Sequence, residues 1–538
     1  MLSNNSTVAY FSMEYAIDQA LKIYSGGLGF LAGSHLRSAH ALNKNLIGIG
    51  ILWKHGYYDQ DRNENQEMVC TFRNKSYHFL EDTLIKFTVN IHDKEVWVKA
   101  FLLKPETFGS APLYLLSTDV PENDFLSQTI THNLYDKNEA TRIAQSIILG
   151  IGGGKLIDIL NLNIQTYHLN EAHALPLAFY LFKKYDEDKE KVKQKLVFTT
   201  HTPEVAGNEE RNKDLLAEMH FFGELNIQQV EQITNQFGLN LNYTLAALQL
   251  SRKANAVSQI HGNVSREMWK GNNNICEITH ITNAQNQAYW QDNILKSALD
   301  NNDFQLLELR KKELKSELFQ TVANQTGKLF DKNILTIVWA RRFAGYKRAD
   351  LLLRDLEQFN ELIHDQKSPI QIIWAGKPYP FAQADLELFH SIQQQTSHLK
   401  NVAVLTGYEL ALSAQLKKGA DIWLNTPRFT REASGTSGMS AAMNGAINFS
   451  IPDGWVAEFA KHNYNSFVIP VADELRDNPI LQEIEEGKRM YAILNQEVKP
   501  TYYQNKTKWL EIMKNSMLDV TPQFDSDRMV NEYFEKMY

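Results

Sequence analysis

Residues 335–348 read LTIVWARRFAGYKR. The first six are apolar, β-branched or aromatic, the composition of a buried strand. Arg341, Arg342, Lys347 and Arg348 follow directly, and a helical pattern starts near Arg348. A strand that runs into a helix through a polar turn is the building unit of a parallel sheet. Ligands of such sheets bind beyond the carboxyl ends of the strands. The four cations therefore stand where a ligand would. Guanidinium forks match phosphate oxygens, and lysine adds a point charge. In a chain of net charge −8, the cluster reads as a local dianion site rather than a solvated basic turn.

The same alternation continues on both sides. Residues 370–375, 402–405, 421–424 and 447–450 read as strands, with helical patterns at 385–394, 410–417 and 437–446 between them. In the first half, 8–11, 46–51, 165–169 and 195–199 read as strands. Residues 86–92 and 95–103 form a hairpin about Asp93-Lys94, and 140–150 show one apolar face of a buried helix. The fold class is α/β with two parallel sheets. A length of 538 residues exceeds one ordinary core and predicts two or three domains. The polar, charged helical stretch 292–328 marks the change. We assign 1–300 to a first domain with β-hairpin elaborations and 301–510 to a second. Residues 511–538 are a C-terminal helical segment returning to the first, its last helix following a turn at Pro522.

Net charge excludes a general affinity for nucleic acid or anionic membranes. Two cysteines, Cys70 and Cys276, make neither a disulfide framework nor a metal spacing. The first seven residues lack a signal-peptide pattern, and no run approaches the ~20 apolar residues of a membrane span. These features predict a cytoplasmic protein without a metal site.

Other strand ends are also polar. Phe11 leads to Ser12 and Glu14, Leu169 to Asn170, Glu171 and His173, Thr199 to His201, and Ala375 to Lys377. Residues 25–29, SGGLG, precede a helical stretch and could bring backbone N–H groups to an anion. Residues 150–155, GIGGGK, lack the P-loop spacing and its Ser/Thr, so they read as a helix-ending loop. Residues 432–439, EASGTSGM, are small, polar and glycine-rich. Their amides and hydroxyls suit an anion or a sugar, and Glu432 would need hydrogen-bond donors if buried there.

These segments resemble the α-glucan (glycogen, starch, maltodextrin) phosphorylases, in their shorter bacterial and archaeal form. The pieces are 10–14 YFSME, 23–29 IYSGGLG, 167–173 YHLNEAH, 199–203 TTHTP, 341–348 RRFAGYKR and 432–445 EASGTSGMSAAMNG. They run in family order across most of the chain. The resemblance implies a GT-B glycosyltransferase fold, two Rossmann-like domains facing across a cleft. It implies phosphorolysis of a terminal α-1,4-linked glucose to glucose 1-phosphate with retention, assisted by the phosphate of pyridoxal phosphate (PLP).

By the same resemblance, Gly27 and Leu28 lie at phosphate and glucose, and His201 serves the glucose 6-hydroxyl and the developing charge. Asn283 binds a glucose hydroxyl. Arg342 and Lys347 hold substrate phosphate, while Arg341 faces the cofactor phosphate and Tyr408 packs near the pyridine ring. Glu432, Ser434 and Gly435 bind glucose. The Thr436 and Ser437 amides hold the cofactor phosphate. The family's PLP-anchoring lysine corresponds to Ser440, which has no amine and cannot form a Schiff base. The stretch 283–287, NAQNQ, also departs from the family's Gly and His after Thr-Asn.

Three functions follow. The first is a phosphorylase-like retaining glucosyltransferase on α-glucan or maltodextrin and phosphate, holding PLP noncovalently or working without it. The second is a PLP-free GT-B glucosyltransferase using a nucleotide sugar, whose diphosphate the cations would grip. The third is a catalytically silent glucan-binding or regulatory protein. Retained, clustered cations weigh against the third. The family is often dimeric, which allows a homodimer.

Overall fold

A computed structural model of the chain describes residues 7–538. Residues 1–6, part of the stretch that shows no targeting pattern, lie outside the described residues. The chain folds as two compact units. The first comprises Met1–Tyr58, Phe72–Asn283 and Ser526–Tyr538, the second Asp59–Thr71 and Ala284–Asp525. Among the described residues no helix is long and apolar enough to cross a membrane.

The second unit is built on a six-stranded parallel sheet among its described residues. Its order is Val402–Leu405, Ile370–Ala375, Leu335–Ala340, Ile422–Asn425, Ile447–Ser450, Ser466–Val468. In chain order this is 3-2-1-4-5-6, the doubly wound Rossmann arrangement. Continuous apolar strands are needed because both faces are covered. Successive side chains point to opposite faces. Ile337, Trp339, Ile372 and Trp374 enter one core, with Phe359, Phe389 and Met490 from the helices Leu356–His364, Gln383–Thr396 and Pro479–Ile493. Val338, Ala340, Ile373 and Ala375 enter the other, with Leu318 and Leu416 from Phe304–Thr326 and Leu410–Gly419. Each fully buried Ile, Val or Leu contributes roughly 1.5–3 kcal/mol.

A short hairpin from early in the chain, Asp59–Arg62 with Met68–Thr71, belongs to this second unit. Gln60 Nε2 donates to the Gly376 carbonyl at 2.8 Å, and its Oε1 accepts the Gly407 and Tyr408 amides.

The first unit holds a nine-stranded sheet among its described residues. It runs Glu277–His280, Lys253–Ala256, Leu196–Thr199, Ile164–Asn170, Thr7–Phe11, Leu46–Ile51, Leu113–Ser117, Lys94–Leu103, Glu81–Ile91. The strands are parallel as far as Leu113–Ser117, and the last two form an antiparallel hairpin edge. The order again reverses beside the first strand, Thr7–Phe11. The helix Ser526–Lys536 packs on Gly27–Ala41 within this unit, where Ser38 and Ser526 hydroxyls meet at 2.6 Å.

Two local readings are corrected. Residues 150–155 do not end a helix: Glu139–Ile147 passes through a π turn, Ile148–Gly152, and resumes as Gly153–Ile159. Its glycines serve close packing. A Cβ on Gly150 would stand 2.6 Å from the Leu177 nitrogen, and one on Gly153 2.5 Å from the Phe11 ring. Pro522 does not make the turn before the last helix. It lies in the last turn of Lys506–Phe524, where a missing N–H costs a single bond, and the chain turns at Asp525.

Candidate functional site

In the second unit the strand order reverses between Leu335–Ala340 and Ile422–Asn425, and the polar residues gather at the carboxyl ends of these two strands. Arg341 follows the first strand and reaches the side-chain oxygen of Asn425, the last residue of the second. Its other terminal nitrogen lies 3.1 Å from Glu432. Lys347 Nζ approaches both oxygens of Glu432, at 3.2 and 2.9 Å. Arg342 is exposed, and its charge adds to the field at Glu432. Burial alone would raise the Glu432 carboxyl. The Lys347 and Arg341 charges, and that of Arg342, more than offset burial and hold it below the usual carboxylate range.

The loop that carries Glu432 is fixed by backbone contacts. The Glu432 amide donates to Asp453 at 2.9 Å, and the Trp455 amide to the Ser434 carbonyl at 3.0 Å. Gly435 has φ +86°, a left-handed conformation suited to glycine. Gly454, at φ +55°, leaves no room for a side chain: a Cβ would meet the Ser434 carbonyl at 2.4 Å. Burial pushes the Asp453 carboxyl up to about 7. Two buried polar atoms here, Ser434 Oγ and Arg341 Nε, have no hydrogen-bond partner among the described residues. Buried polar groups are normally paired, so these two point to a ligand.

Thr436 and Ser437 open the short helix Ser437–Ala442. Ser440 is fully buried in it, and its hydroxyl donates to the Ser437 carbonyl at 3.3 Å. Tyr408 is buried beneath the first strand, its hydroxyl 3.3 Å from the Ala340 carbonyl. Gly376 is required at the neighbouring strand end: a Cβ there would overlap the Arg341 carbonyl, at 1.8 Å.

One cation of the expected cluster is not part of it. Arg348 takes φ +48° and is buried. Its guanidinium donates to the Thr426 and Pro427 carbonyls at 2.8 Å and pairs with Glu486 at 2.6 Å. It is a structural ion pair, and the cluster reduces to Arg341, Arg342 and Lys347.

The first unit presents its own polar group at its reversal point. Asn170 Nδ2 donates to Ser12 Oγ at 3.1 Å, and Asn170 Oδ1 meets His201 Nε2 at 2.8 Å. The His201 amide donates to Glu171. Glu171 has φ +67°, a conformation that costs a non-glycine residue about 1–3 kcal/mol. Burial raises its carboxyl to about 7. Burial, with the nearby His261 and His173, lowers His201 to about 3, so its ring is neutral at ordinary pH.

The glycine-rich segment 25–29 is partly occupied by the protein itself. Glu14 accepts the Ser25 amide at 2.6 Å, the Gly26 amide at 3.1 Å and the Tyr135 hydroxyl at 2.8 Å. Gly27 and Leu28, the first residues of the helix Gly27–Ala41, lie beyond this carboxylate, and Gly27 is exposed. Asn283, the last residue before the chain leaves this unit, is buried, and its Oδ1 has no partner among the described residues.

The sequence reading missed Asn425 and Asp453. Asn425 ends the strand Ile422–Asn425 and Asp453 follows Ile447–Ser450, so the rule that singled out Arg341 would have found them. It passed over Glu14 as a ligand of the glycine segment because nothing local joins positions 14 and 25.

A family model for carbohydrate phosphorylases matches residues 219–469. A maltodextrin phosphorylase of Thermococcus litoralis is 33% identical over 99% of this chain and 70% of its own length. The chain belongs to the carbohydrate phosphorylase family. A glycogen phosphorylase of Aquifex aeolicus is 30% identical over 99% of this chain and 86% of its own. An uncharacterized protein of Methanocaldococcus jannaschii is 46% identical over 98% of this chain and 99% of its own. The phosphorylase match spans Arg341, Lys347, Glu432, Ser434 and Ser440, the second-unit residues described above. Among the described residues no group of His, Cys, Asp and Glu side chains is arranged to hold a metal ion.

Proposed function

We propose that the chain is a retaining glucosyltransferase of the α-glucan phosphorylase type, taking a terminal α-1,4-linked glucose and inorganic phosphate to glucose 1-phosphate. The observation that carries this reading is the cluster of Arg341 and Lys347 around Glu432, beside the unpartnered Ser434 hydroxyl and Arg341 Nε. Cations and a carboxylate side by side suit a phosphate and sugar hydroxyls together.

In the reaction the glycosidic C1–O bond breaks and a C1–O bond to phosphate forms. The phosphate proton passes to the leaving oxygen. Arg342 and Lys347 hold the phosphate and its developing charge. Glu432, Ser434 and Gly435 fix the sugar through its hydroxyls. For the first unit the family resemblance assigns His201, Gly27, Leu28 and Asn283 to glucose; within that unit the His201 ring is neutral and is oriented by Asn170.

The residues present fit part of PLP. Arg341 Nε is a buried donor seeking an acceptor, and the Thr436 and Ser437 amides open a helix, so a phosphate ester can be held. When bound, that group supplies a second phosphate for proton exchange with the substrate phosphate. Covalent attachment at position 440 does not fit, because Ser440 carries a hydroxyl where the family places its anchoring lysine.

The test is a phosphorolysis assay with maltodextrin and phosphate, with and without added PLP. Glucose 1-phosphate that disappears in Arg342→Ala supports the proposal. Glucosyl transfer from ADP- or UDP-glucose without phosphorolysis would replace it with nucleotide-sugar chemistry. Maltodextrin binding without any product would leave a glucan-binding protein.

A further inference from the structure

Glu432 is held from below by the segment that follows the strand Ile447–Ser450. Asp453 is buried there. Its Oδ2 accepts the Glu432 amide at 2.9 Å, and its Oδ1 accepts the Gly454 amide at 2.8 Å. The Arg431 amide is a third backbone donor to the same carboxylate. Two positions on, the Trp455 amide donates to the Ser434 carbonyl at 3.0 Å. Gly454 lies between them against the loop, where a Cβ would stand 2.9 Å from the Glu432 carbonyl oxygen. Residues 453–455 are thus a template on which residues 431–434 are laid.

The cations around Glu432 have other supports. Arg341 and Lys347 belong to the turn after Leu335–Ala340. The Arg341 amide donates to the Ala375 carbonyl at 3.2 Å, and the Lys347 carbonyl accepts the Thr426 hydroxyl at 3.1 Å. The site is therefore assembled from two pieces of backbone, each with its own anchor. The charge on the second anchor has a geometric reason. A carboxylate accepts through both oxygens, whereas an Asn side chain offers one oxygen and turns an NH2 group toward the other donor. A loop that needed a single cap would be served by a neutral acceptor, at a lower cost of burial. The first unit has the same device, since the buried Glu171 carboxyl accepts the His201 amide.

We propose that Asp453 is a positioning residue, which sets the place of the Glu432 carboxylate and the Ser434 hydroxyl through their backbone and leaves the phosphate-facing cations in place. The inference rests on the phosphorylase reading, in which Glu432 and Ser434 hold the sugar while Arg342 and Lys347 hold phosphate. It adds that the sugar half and the phosphate half of the site can be disturbed separately. Glucan affinity depends on Asp453. Phosphate affinity does not, because a displaced Glu432 competes less for Lys347 and leaves that cation available to the anion.

The test is calorimetric titration of the full-length protein with maltodextrin and, separately, with inorganic phosphate. A buffer of about pH 8 keeps Asp453 ionised, because burial raises its carboxyl to about 7. Asp453→Asn should lower maltodextrin affinity roughly tenfold or more, the scale of one lost charge-assisted hydrogen bond. It should weaken phosphate binding by no more than about twofold. An aspartate that serves folding in general would lower both affinities together or leave both unchanged, and either result overturns the assignment. Should Asp453→Asn lack a cooperative melt, Gly454→Ala takes its place, since its methyl group crowds the Ser434 and Glu432 carbonyls and should give the same split. The wild-type titrations decide the reading beneath. Phosphate binding without maltodextrin binding in the wild type removes the glucan reading and this inference with it. Maltodextrin binding that Asp453→Asn leaves intact removes this inference and keeps the glucan reading.

Discussion

Lys347 Nζ lies 2.9 Å from Glu432 Oε2, and the same oxygen receives Arg341 at 3.1 Å. One protein carboxylate thus occupies donors that a phosphate dianion would also seek. Anion and carboxylate must share them. On the proposed reading, a bound phosphate that draws Lys347 away would free the Glu432 oxygens to accept sugar hydroxyls and would couple the two ligands through one side chain.

Glu432→Gln removes the counter-charge and leaves two largely buried cations facing a neutral amide. Removing one partner of a buried pair costs about 3–5 kcal/mol. A lower urea midpoint is expected, and inorganic phosphate should recover part of it by binding the native state. A midpoint indifferent to phosphate would contradict the shared-donor arrangement.

Arg342→Ala should behave in the opposite way. The side chain is exposed, so its loss should change stability by no more than about 0.5 kcal/mol. A charge-assisted hydrogen bond is worth roughly 1.5–3 kcal/mol, about a ten- to hundredfold loss of phosphate affinity. Calorimetric titration with phosphate, paired with a thermal melt, checks both halves.

Arg348→Met tests the separation of structural from ligand-facing cations. It deletes the pairing with Glu486 and the donors to Thr426 and Pro427. A loss of about 3–5 kcal/mol is expected, read by urea denaturation. Phosphate affinity of the protein that remains folded should stay within about twofold of wild type, since each tenfold step would require 1.4 kcal/mol.

Glu171 gives a pH signature. Its folded carboxyl, raised by burial to about 7, stays protonated above the pH at which the unfolded chain ionises, near 4.3. Between these values the native state binds the extra proton, so this group's contribution to stability falls as pH rises. The fall ends above about pH 7. Glu171→Gln keeps the oxygen that accepts the His201 amide and removes the titration. Its stability profile should be flatter than that of wild type from about pH 4.5 to 7, by urea melts across pH. An unchanged slope would show that Glu171 titrates normally.

Much of the second sheet was legible. The strands Leu335–Ala340, Ile370–Ala375 and Val402–Leu405 match the apolar runs because polar turns bound each one. Arg341 and Lys347 were legible as a cation cluster at a strand end, and the structure brings both to Glu432. Arg348 was not, because its left-handed backbone turns its side chain away from neighbours only a residue or more distant. The glycines of 150–155 read as breakers because close packing against Leu177 and Phe11 has no local trace.

The hairpin Asp59–Arg62 with Met68–Thr71 has a consequence in time. Gln60 is separated from its partner Gly376 by 316 positions. At about 5–20 residues per second, a ribosome makes the hairpin roughly 16–60 s before the sheet that receives it. Until then Gln60 has no second-unit backbone to bind, and the segment must loop out while the first sheet forms around its two ends. Neither unit can be completed from one uninterrupted stretch of chain, so the order of synthesis and the order of folding cannot coincide in this protein.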